Sequence, residues 1–281
     1  MFQALDILAA TGDVEGFVRS NGLKFEAKAP APILGRTMFE LLTTGFVTDK
    51  VSGPGWETGT LHLPPHLQVE QTFHNGRQVA VVSVSDDTTF QGPPVGYLAL
   101  TLARRLPNMV LDGKRNNPLV GSSLLHLPLS DQRFSLEGDF DKYFDLYVPS
   151  GYERDALYVF TPDLMALMID ETSDFDIEIR DDQLIVYASA PLDLKNPAWW
   201  QWMERVMAVV GRKAFTQTDG YSDERVGDRA ANVVAPEARL LRRGLTRENK
   251  WVLWTFAAGV AIMLLVGIVS IAGFVGLLLA F

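Results

Sequence analysis

The 281-residue chain contains no cysteine, which excludes disulfide bonds, cysteine-ligated zinc and thiol catalysis. It also lacks the Gly-x-Gly-x-x-Gly and Walker patterns of phosphate loops and the Gly-x-Ser-x-Gly elbow of serine hydrolases. The sequence therefore gives no support to a nucleotide site, and we predict no cofactor. A Ser-His-Asp arrangement stays open, because such residues come together only in the fold.

Metal-binding patterns are also scarce, since the chain has only 4 histidines. His62 and His66 have the spacing of ligands on one helical face, but Pro64 and Pro65 lie between them and exclude a helix. The alternating acids at 137–141 lack the glycine and the final glutamate of a calcium loop. We predict surface or packing histidines, a turn with a solvated strand edge at 137–141, and no metal site.

Charge and proline are absent from residues 251–281, of which 17 are Leu, Ile, Val or Phe. At about 1.5 Å per residue, a helix of this length reaches roughly 46 Å, beyond the roughly 30 Å of a hydrocarbon core. Buried core helices seldom exceed about 20 residues or are apolar on every face. We predict a single tilted transmembrane helix. Its small residues Ala272, Gly276 and Ala280 form a ridge that favours helix association, and hence a homo-oligomer through the anchor.

The residues that precede this run predict its orientation. Two glutamates and five basic residues lie at 236–250, and the basic residues are Arg239, Arg242, Arg243, Arg247 and Lys250. Basic flanks stay in the cytoplasm, and the first ten residues lack the pattern of a signal peptide. We therefore expect a tail-anchored, single-pass protein of the cell membrane whose N-terminal domain is cytoplasmic.

Net charge separates the body of the chain from its basic flank. The whole chain carries −9 and the stretch 236–250 carries +3, which leaves −12 on the remainder. Such an acidic body is repelled by nucleic acid and by anionic lipid, whereas the basic flank is attracted to the lipid surface. We predict the lipid bilayer and a protein as partners, and no nucleic acid.

Periodicity predicts an α+β fold with a largely antiparallel sheet and two or three packed helices. Asn75-Gly76 indicates a type I′ hairpin between two strands, and residues 96–102 alternate as a strand. Thr161-Pro162 and Asn196-Pro197 are typical helix starts. We expect this domain to span 1–211, or to divide into 1–128 and 129–211. A flexible tether with a basic juxtamembrane segment at 212–250 and the transmembrane helix at 251–281 should follow.

Two features of the second half bear on function. The helix that starts at Asn196 places Trp199 and Trp202 on its core-facing stripe and Trp200 on the opposite face, so Trp200 is a candidate contact surface. The acid-rich stretch 170–178 could contain a catalytic carboxylate pair. Its location at a helix end and on the polar face of a strand favours a solubilising role instead.

Four stretches resemble a family of uncharacterised bacterial membrane-associated proteins. They are FVRSNG at 17–22, RRLPNMVLD at 104–112, SLEGDFD at 135–141 and YERDALYVFTPDLM at 152–165. The resemblance covers roughly residues 15 to 210 and is moderately specific. It implies a bacterial α+β domain tied to a membrane. The family has no established activity, so the resemblance implies no catalytic residues.

Two functional hypotheses follow from the sequence. The first is a membrane-tethered, non-enzymatic interaction or scaffold module, because no catalytic signature is found and an acidic body stands on a basic flank. The second is a membrane-anchored hydrolase that uses carboxylates of the acid-rich second half. A buried pocket with several perturbed polar groups would favour the hydrolase, whereas an exposed contact patch would favour the interaction module.

Overall fold

The computed structural model describes residues 2–30, 46–62, 67–74, 77–84, 94–117, 124, 126–136, 138–227 and 232–246. The helices are α1 (Leu5–Thr11), α2 (Val14–Ser20), α3 (Glu153–Val159), α4 (Pro162–Thr172), α5 (Pro197–Val206) and α6 (Arg212–Thr218). The strands are β1 (Lys24–Pro30), β2 (Phe46–Gly53), β3 (Trp56–His62), β4 (Leu67–His74), β5 (Arg77–Val84), β6 (Val95–Gly113), β7 (His126–Pro128), β8 (Arg133–Phe134), β9 (Phe144–Tyr147), β10 (Asp176–Ala188) and β11 (Arg243–Thr246). This α+β class is the predicted one.

Seven strands form the main sheet, and every pairing in it is antiparallel. The order is β1-β2-β3-β6-β9-β8, and β10 pairs with the other edge of β6. Strands from both sides of the 128/129 boundary therefore share one sheet. The strands β4 and β5 pair separately, from Leu67 opposite Val84 to His74 opposite Arg77, as the two-residue hairpin predicts.

Strand β6 is longer than the sequence predicts, because it continues through Arg104, Arg105 and Pro107 to a length of 19 residues. Proline has no N–H to donate, so it interrupts regular pairing. The register of β6 with β10 shifts on both sides of the pair Leu106–Asp181, and Asp181 has a φ of 48°. The irregular stretch accommodates Pro107, and Asp181 lies within β10.

Both faces of β6 are buried, and they face different clusters. Leu98, Leu100 and Leu102 point into the main core, which the helices cover. Tyr97 and Ala99 point into a second cluster on the opposite face. The predicted alternation of 96–102 is therefore confirmed, but Tyr97 and Ala99 are in the interior as well, whereas Thr101 is exposed.

Trp200 is fully buried, so its prediction as a contact surface is wrong. Helices α1 and α2 cover this side of α5, and the indole packs edge-on against Phe17 at 4.8 Å and Phe2 at 5.2 Å between ring centroids. Its N–H donates to the carbonyl of Leu194 at 2.8 Å. Trp199, which was assigned to the core stripe, is only half-buried. The buried face of the helix is therefore shifted by about one residue from the predicted core-facing stripe.

The helix continues without a break beyond the end of α5 at Val206. A π-helical turn at Met207–Gly211 leads directly into α6. A π-turn places one extra residue in the helix, and such turns are common at functional sites. A Cβ atom on Gly211 would lie 2.9 Å from Cδ1 of Leu100, so the glycine lets the helix approach β6 closely.

The predicted flexible tether is folded wherever the structure describes it. Helix α6 opens the segment, Tyr221 and Asp223 are buried, and Ala238 is fully buried in a 3₁₀ turn against β6. Strand β11 then pairs with β7. Sequence periodicity fails here because polar bonds to distant residues hold the segment. We call residues 232–246 the stem.

The described residues contain no helix with the length and hydropathy that crossing a bilayer requires. The predicted transmembrane helix at 251–281 lies outside the described residues. The same applies to the proposed association ridge at Ala272, Gly276 and Ala280.

Candidate functional site

The predicted wet face of β10 is buried. Asp176 is 4% exposed and accepts a hydrogen bond from the backbone N–H of Gly113 at 2.8 Å. Glu178 is fully buried and accepts from the Tyr187 hydroxyl at 3.2 Å. Burial, followed by the charge of Glu178, raises the pKa of Tyr187 well above its usual value. The alternation of polar and apolar residues in β10 did not predict solvent exposure, because both faces of the sheet are covered.

The remaining acids of the stretch 170–178 are distributed over separate contacts. Glu171 pairs with Arg205 at 3.3 Å, and the exposed Asp174 lies 3.7 Å from Arg115. These bonds tie α4 to α5 and to the end of β6. These carboxylates therefore hold neighbouring elements together, as the buried Asp176 and Glu178 also do.

Five polar side chains form a hydrogen-bonded cluster that joins the region around α3 to the segment after α6. We call Tyr152, Asp155, Tyr221, Asp223 and Arg225 the clasp. The carboxylate of Asp223 accepts from the Tyr152 hydroxyl at 3.1 Å and from the Arg225 guanidinium at 3.2 Å. Asp155 accepts from Tyr221 at 2.7 Å and pairs with Arg225 at 3.2 Å. The guanidinium also stacks 3.7 Å from the centroid of the Tyr152 ring.

The clasp connects the chain to the stem through Asp223. The Asp223 side chain has no exposed surface and also accepts from the backbone N–H groups of Arg225 at 3.0 Å and Ala235 at 2.9 Å. Burial alone would raise the pKa of Asp223, but these donors outweigh it and lower the pKa below its usual value. Burial and the bond to Asp155 raise the pKa of Tyr221. All these polar groups satisfy one another, which is typical of a structural cluster.

Gln132 fixes the stem to the sheet. It is 3% exposed, donates to the carbonyl of Leu240 at 3.0 Å and accepts from the backbone N–H of Arg242 at 2.6 Å. The N–H of Leu129 donates to the carbonyl of Arg242 at 2.9 Å. These bonds hold the chain immediately before β11.

Two residues of the basic flank are paired with carboxylates of the body. Arg239 bonds to Asp181 at 2.7 Å, and Arg242 bonds to Asp131. Residues Pro236–Arg239 of this flank form a 3₁₀ turn against the sheet, where Ala238 is buried. Arg243 contributes its backbone to β11, whereas Arg247 and Lys250 lie outside the described residues.

The described histidine of the excluded metal pair is a packing residue, as predicted. The His62 ring stacks on Phe46 at 4.6 Å and lies 2.9 Å from the Thr48 hydroxyl. Burial, followed by the charge of Lys28, lowers its pKa. Its proposed partner His66 lies outside the described residues.

An open groove lies between the β2–β3 turn, strand β6 and the helix that contains the π-turn. Its volume is about 340 Å³, and we call it the groove; its principal side chains are Trp56, Leu100, Thr101, Met207, Arg212 and Phe215. Three of its four largest apolar side chains are at least half-buried, whereas Phe215 is 48% exposed. Sequence reasoning missed this site, because its residues come from three distant segments.

The walls of the groove are held in place by the fold. The Trp56 indole covers Gly53, where a Cβ atom would lie 2.5 Å from Nε1. Its ring also packs edge-on against Phe2 at 6.1 Å. The N–H of Thr101 donates to the carbonyl of Gly55 at 2.8 Å, which ties the turn to β6. The groove is therefore preformed, which lowers the entropy lost on binding.

Known proteins offer few matches to this chain. No protein-family model matches it, and no curated protein matches it in sequence. Among solved structures, it is similar to the crystal structure of the mycobacterial trehalose monomycolate transport factor A, TtfA. That similarity has a TM-score of 0.40 and 10% sequence identity, and it covers 75% of this chain and 94% of that chain.

Proposed function

We propose that this chain is a single-pass membrane protein, anchored through residues 251–281, whose cytoplasmic domain is a non-enzymatic interaction or scaffold module. The way the stem is built into the sheet carries this proposal. Only the four residues 247–250 separate β11 from the apolar run, and they can span no more than about 18 Å. The domain is therefore held close to the membrane surface, as a scaffold requires.

The roles of the acidic residues favour the interaction module over the hydrolase. Asp176, Glu178, Glu171 and Asp223 each form bonds that join elements of the fold. The groove, in contrast, is largely apolar and open to a partner. An apolar surface of this kind is typical of binding sites.

Topology is the first test. Protease added to spheroplasts should leave the domain intact, and protease added to inverted vesicles should digest it. A chain that ends at Thr246 should leave the membrane fraction and serves as the control for anchoring. Digestion of the domain in intact spheroplasts would contradict the cytoplasmic orientation.

Crosslinking in intact membranes, followed by pull-down with the apolar run retained, tests the interaction module. We expect a reproducible partner that is recovered with the full chain and lost with the chain ending at Thr246. Failure to recover any partner from several crosslinking positions would contradict the proposal.

The stem has its own test. Gln132→Ala removes both side-chain bonds to the stem and should destabilise it by about 1–3 kcal/mol. Hydrogen exchange at the Arg242 amide should then accelerate in the full chain held in nanodiscs. Gln201→Ala, at an exposed position of α5, is the matched control and should leave that exchange unchanged.

A further inference from the structure

One positive charge, that of Arg212, borders the groove. Arg212 is exposed at the groove, and no carboxylate of the described residues lies within ion-pair distance of it. The next residue differs, since Lys213 pairs with Asp163 at 3.1 Å. Guanidinium groups bind carboxylates in a planar, bidentate geometry, so Arg212 is suited to an acidic ligand.

Beside this charge lies an exposed aromatic ring. Ala214 and Thr218 turn one side of α6 into the core, whereas Phe215 remains 48% exposed in the groove. Covering apolar surface gains about 25 cal/mol per Å². Aromatic and arginine residues that come together in this way are the usual centres of binding energy at protein interfaces.

The size of the groove limits what it can hold. Its volume of about 340 Å³ is near the lower end of ligand sites, which run from about 300 to 1,000 Å³. This is enough for one or two large apolar side chains. An apolar side chain with an adjacent carboxylate would therefore match both Phe215 and Arg212.

The groove and the stem contact β6 at different places. The stem reaches β6 at Arg105, whose backbone N–H donates to the Asn232 side chain at 2.8 Å, and at Asn108, whose side chain donates to the carbonyl of Arg239 at 3.4 Å. The groove meets β6 at Leu100 and Thr101. About 16 Å of strand separate Leu100 from Arg105. The stem contacts therefore leave the Leu100 end of the groove free.

We infer that the groove is the docking site for an acidic segment of a protein partner, which inserts a Phe or Leu side chain beside Phe215 and places an Asp or Glu against Arg212. This inference rests on the proposed interaction module and specifies the chemistry of its partner. Charge complementarity at Arg212 selects this occupant.

Peptide binding to the full chain in phosphatidylcholine nanodiscs tests the inference. The probes are nine-residue, end-capped fluorescent peptides with a central Phe or Leu flanked by Asp or Glu, together with the same peptides carrying Lys in place of the acid. The acidic peptides should bind more tightly than the lysine peptides. Arg212→Gln and Phe215→Ser should each weaken binding by about tenfold or more.

Two matched variants and one lipid probe complete the experiment. Lys213→Gln removes the adjacent, paired cation, and Ile7→Ser removes an apolar side chain that is 58% exposed on α1; both should bind the acidic peptides as the unaltered chain does. Equal binding of acidic and lysine peptides, or binding insensitive to both groove variants, would overturn the inference. So would Arg212-dependent binding of dodecanoate without peptide binding.

The inference can fail while the proposed function stands. If crosslinking in membranes recovers a partner that depends on the apolar run, and if Arg212→Gln and Phe215→Ser do not alter that recovery, the module is retained and the groove is not its contact site. If no position recovers a partner, the proposed function itself fails.

Discussion

The clasp and the groove lie near opposite ends of α6 and use charge in opposite ways. In the clasp, Arg225 meets two carboxylates and Asp223 has no exposed side-chain surface. In the groove, Arg212 stands beside an exposed phenylalanine without a carboxylate partner among the described residues. A polar cluster that satisfies itself stabilises the fold, whereas an unmatched charge on an apolar surface is available to a partner.

Removing the centre of the clasp should have the largest effect on stability. Asp223→Ala leaves the Tyr152 hydroxyl and the Ala235 amide without their acceptor and removes one of the two carboxylates that bond to Arg225, so we expect a loss of about 3 kcal/mol in the free energy of unfolding. Urea unfolding of the full chain in detergent micelles measures it. Asp219→Ala, at an exposed position of the same segment, should change stability by less than about 0.5 kcal/mol. Equal losses in the two variants would contradict a special role for the clasp.

Lowering the pH should reduce the contribution of the clasp to the free energy of unfolding. The donors to Asp223 lower its pKa in the folded state, so the unfolded state binds the proton first as pH falls. The contribution is complete above about pH 4 and is lost as pH falls through the folded-state pKa. The difference in stability between the unaltered chain and Asp223→Ala should therefore shrink between pH 5 and pH 2, as measured by thermal unfolding at each pH. A constant difference over that range would contradict the assigned bonds.

A single hydroxyl of the clasp should matter less. Tyr221→Phe removes the bond to Asp155 but leaves the ion pair of Asp155 with Arg225, so we expect a loss of about 1 kcal/mol. Tyr158→Phe is the matched control, because Tyr158 is 38% exposed and packs on the Tyr221 ring. In urea titrations, the free energy of unfolding of Tyr158→Phe should be close to that of the unaltered chain.

The groove variants should have the smallest effect on stability. Arg212→Gln and Phe215→Ser alter exposed side chains, so each should change the free energy of unfolding by less than about 0.5 kcal/mol. The same urea titrations measure this. A loss comparable to that of Asp223→Ala would show that the groove serves the fold, and would remove the contrast between the two regions.

Local patterns predicted the elements whose signals lie close together in sequence. The turn residues Asn75-Gly76 specified the pairing of β4 with β5, and Asn196 caps α5 through the Ala198 amide at 3.0 Å. The Asp13 carboxylate likewise caps α2, because it accepts from the Gly16 amide at 2.9 Å. In each of these, residues two to four positions apart decide the conformation.

Long-range contacts decided the features that local patterns missed. The polar run at 219–227 resembles a linker, yet Tyr221 and Asp223 are buried because their partners lie on α3 and just before it. Glu178 resembles a solvated residue, yet the second face of the sheet is covered. The groove combines the β2–β3 turn, β6 and α6, and no spacing in the sequence indicates that these segments meet.

The π-turn at Met207–Gly211 determines how α6 is rotated about the helix axis. A π-turn contains one more residue than an α-helical turn, and each residue of an α-helix rotates the chain by about 100°. Deleting a single codon within this turn would restore regular winding and rotate α6 by that amount. Phe215 and Arg212 would then turn away from Leu100, and the chain that follows would leave α6 in a direction unsuited to meeting Asp155. A single residue in the π-turn therefore determines the direction in which the groove side chains point and the direction in which the chain continues to the clasp.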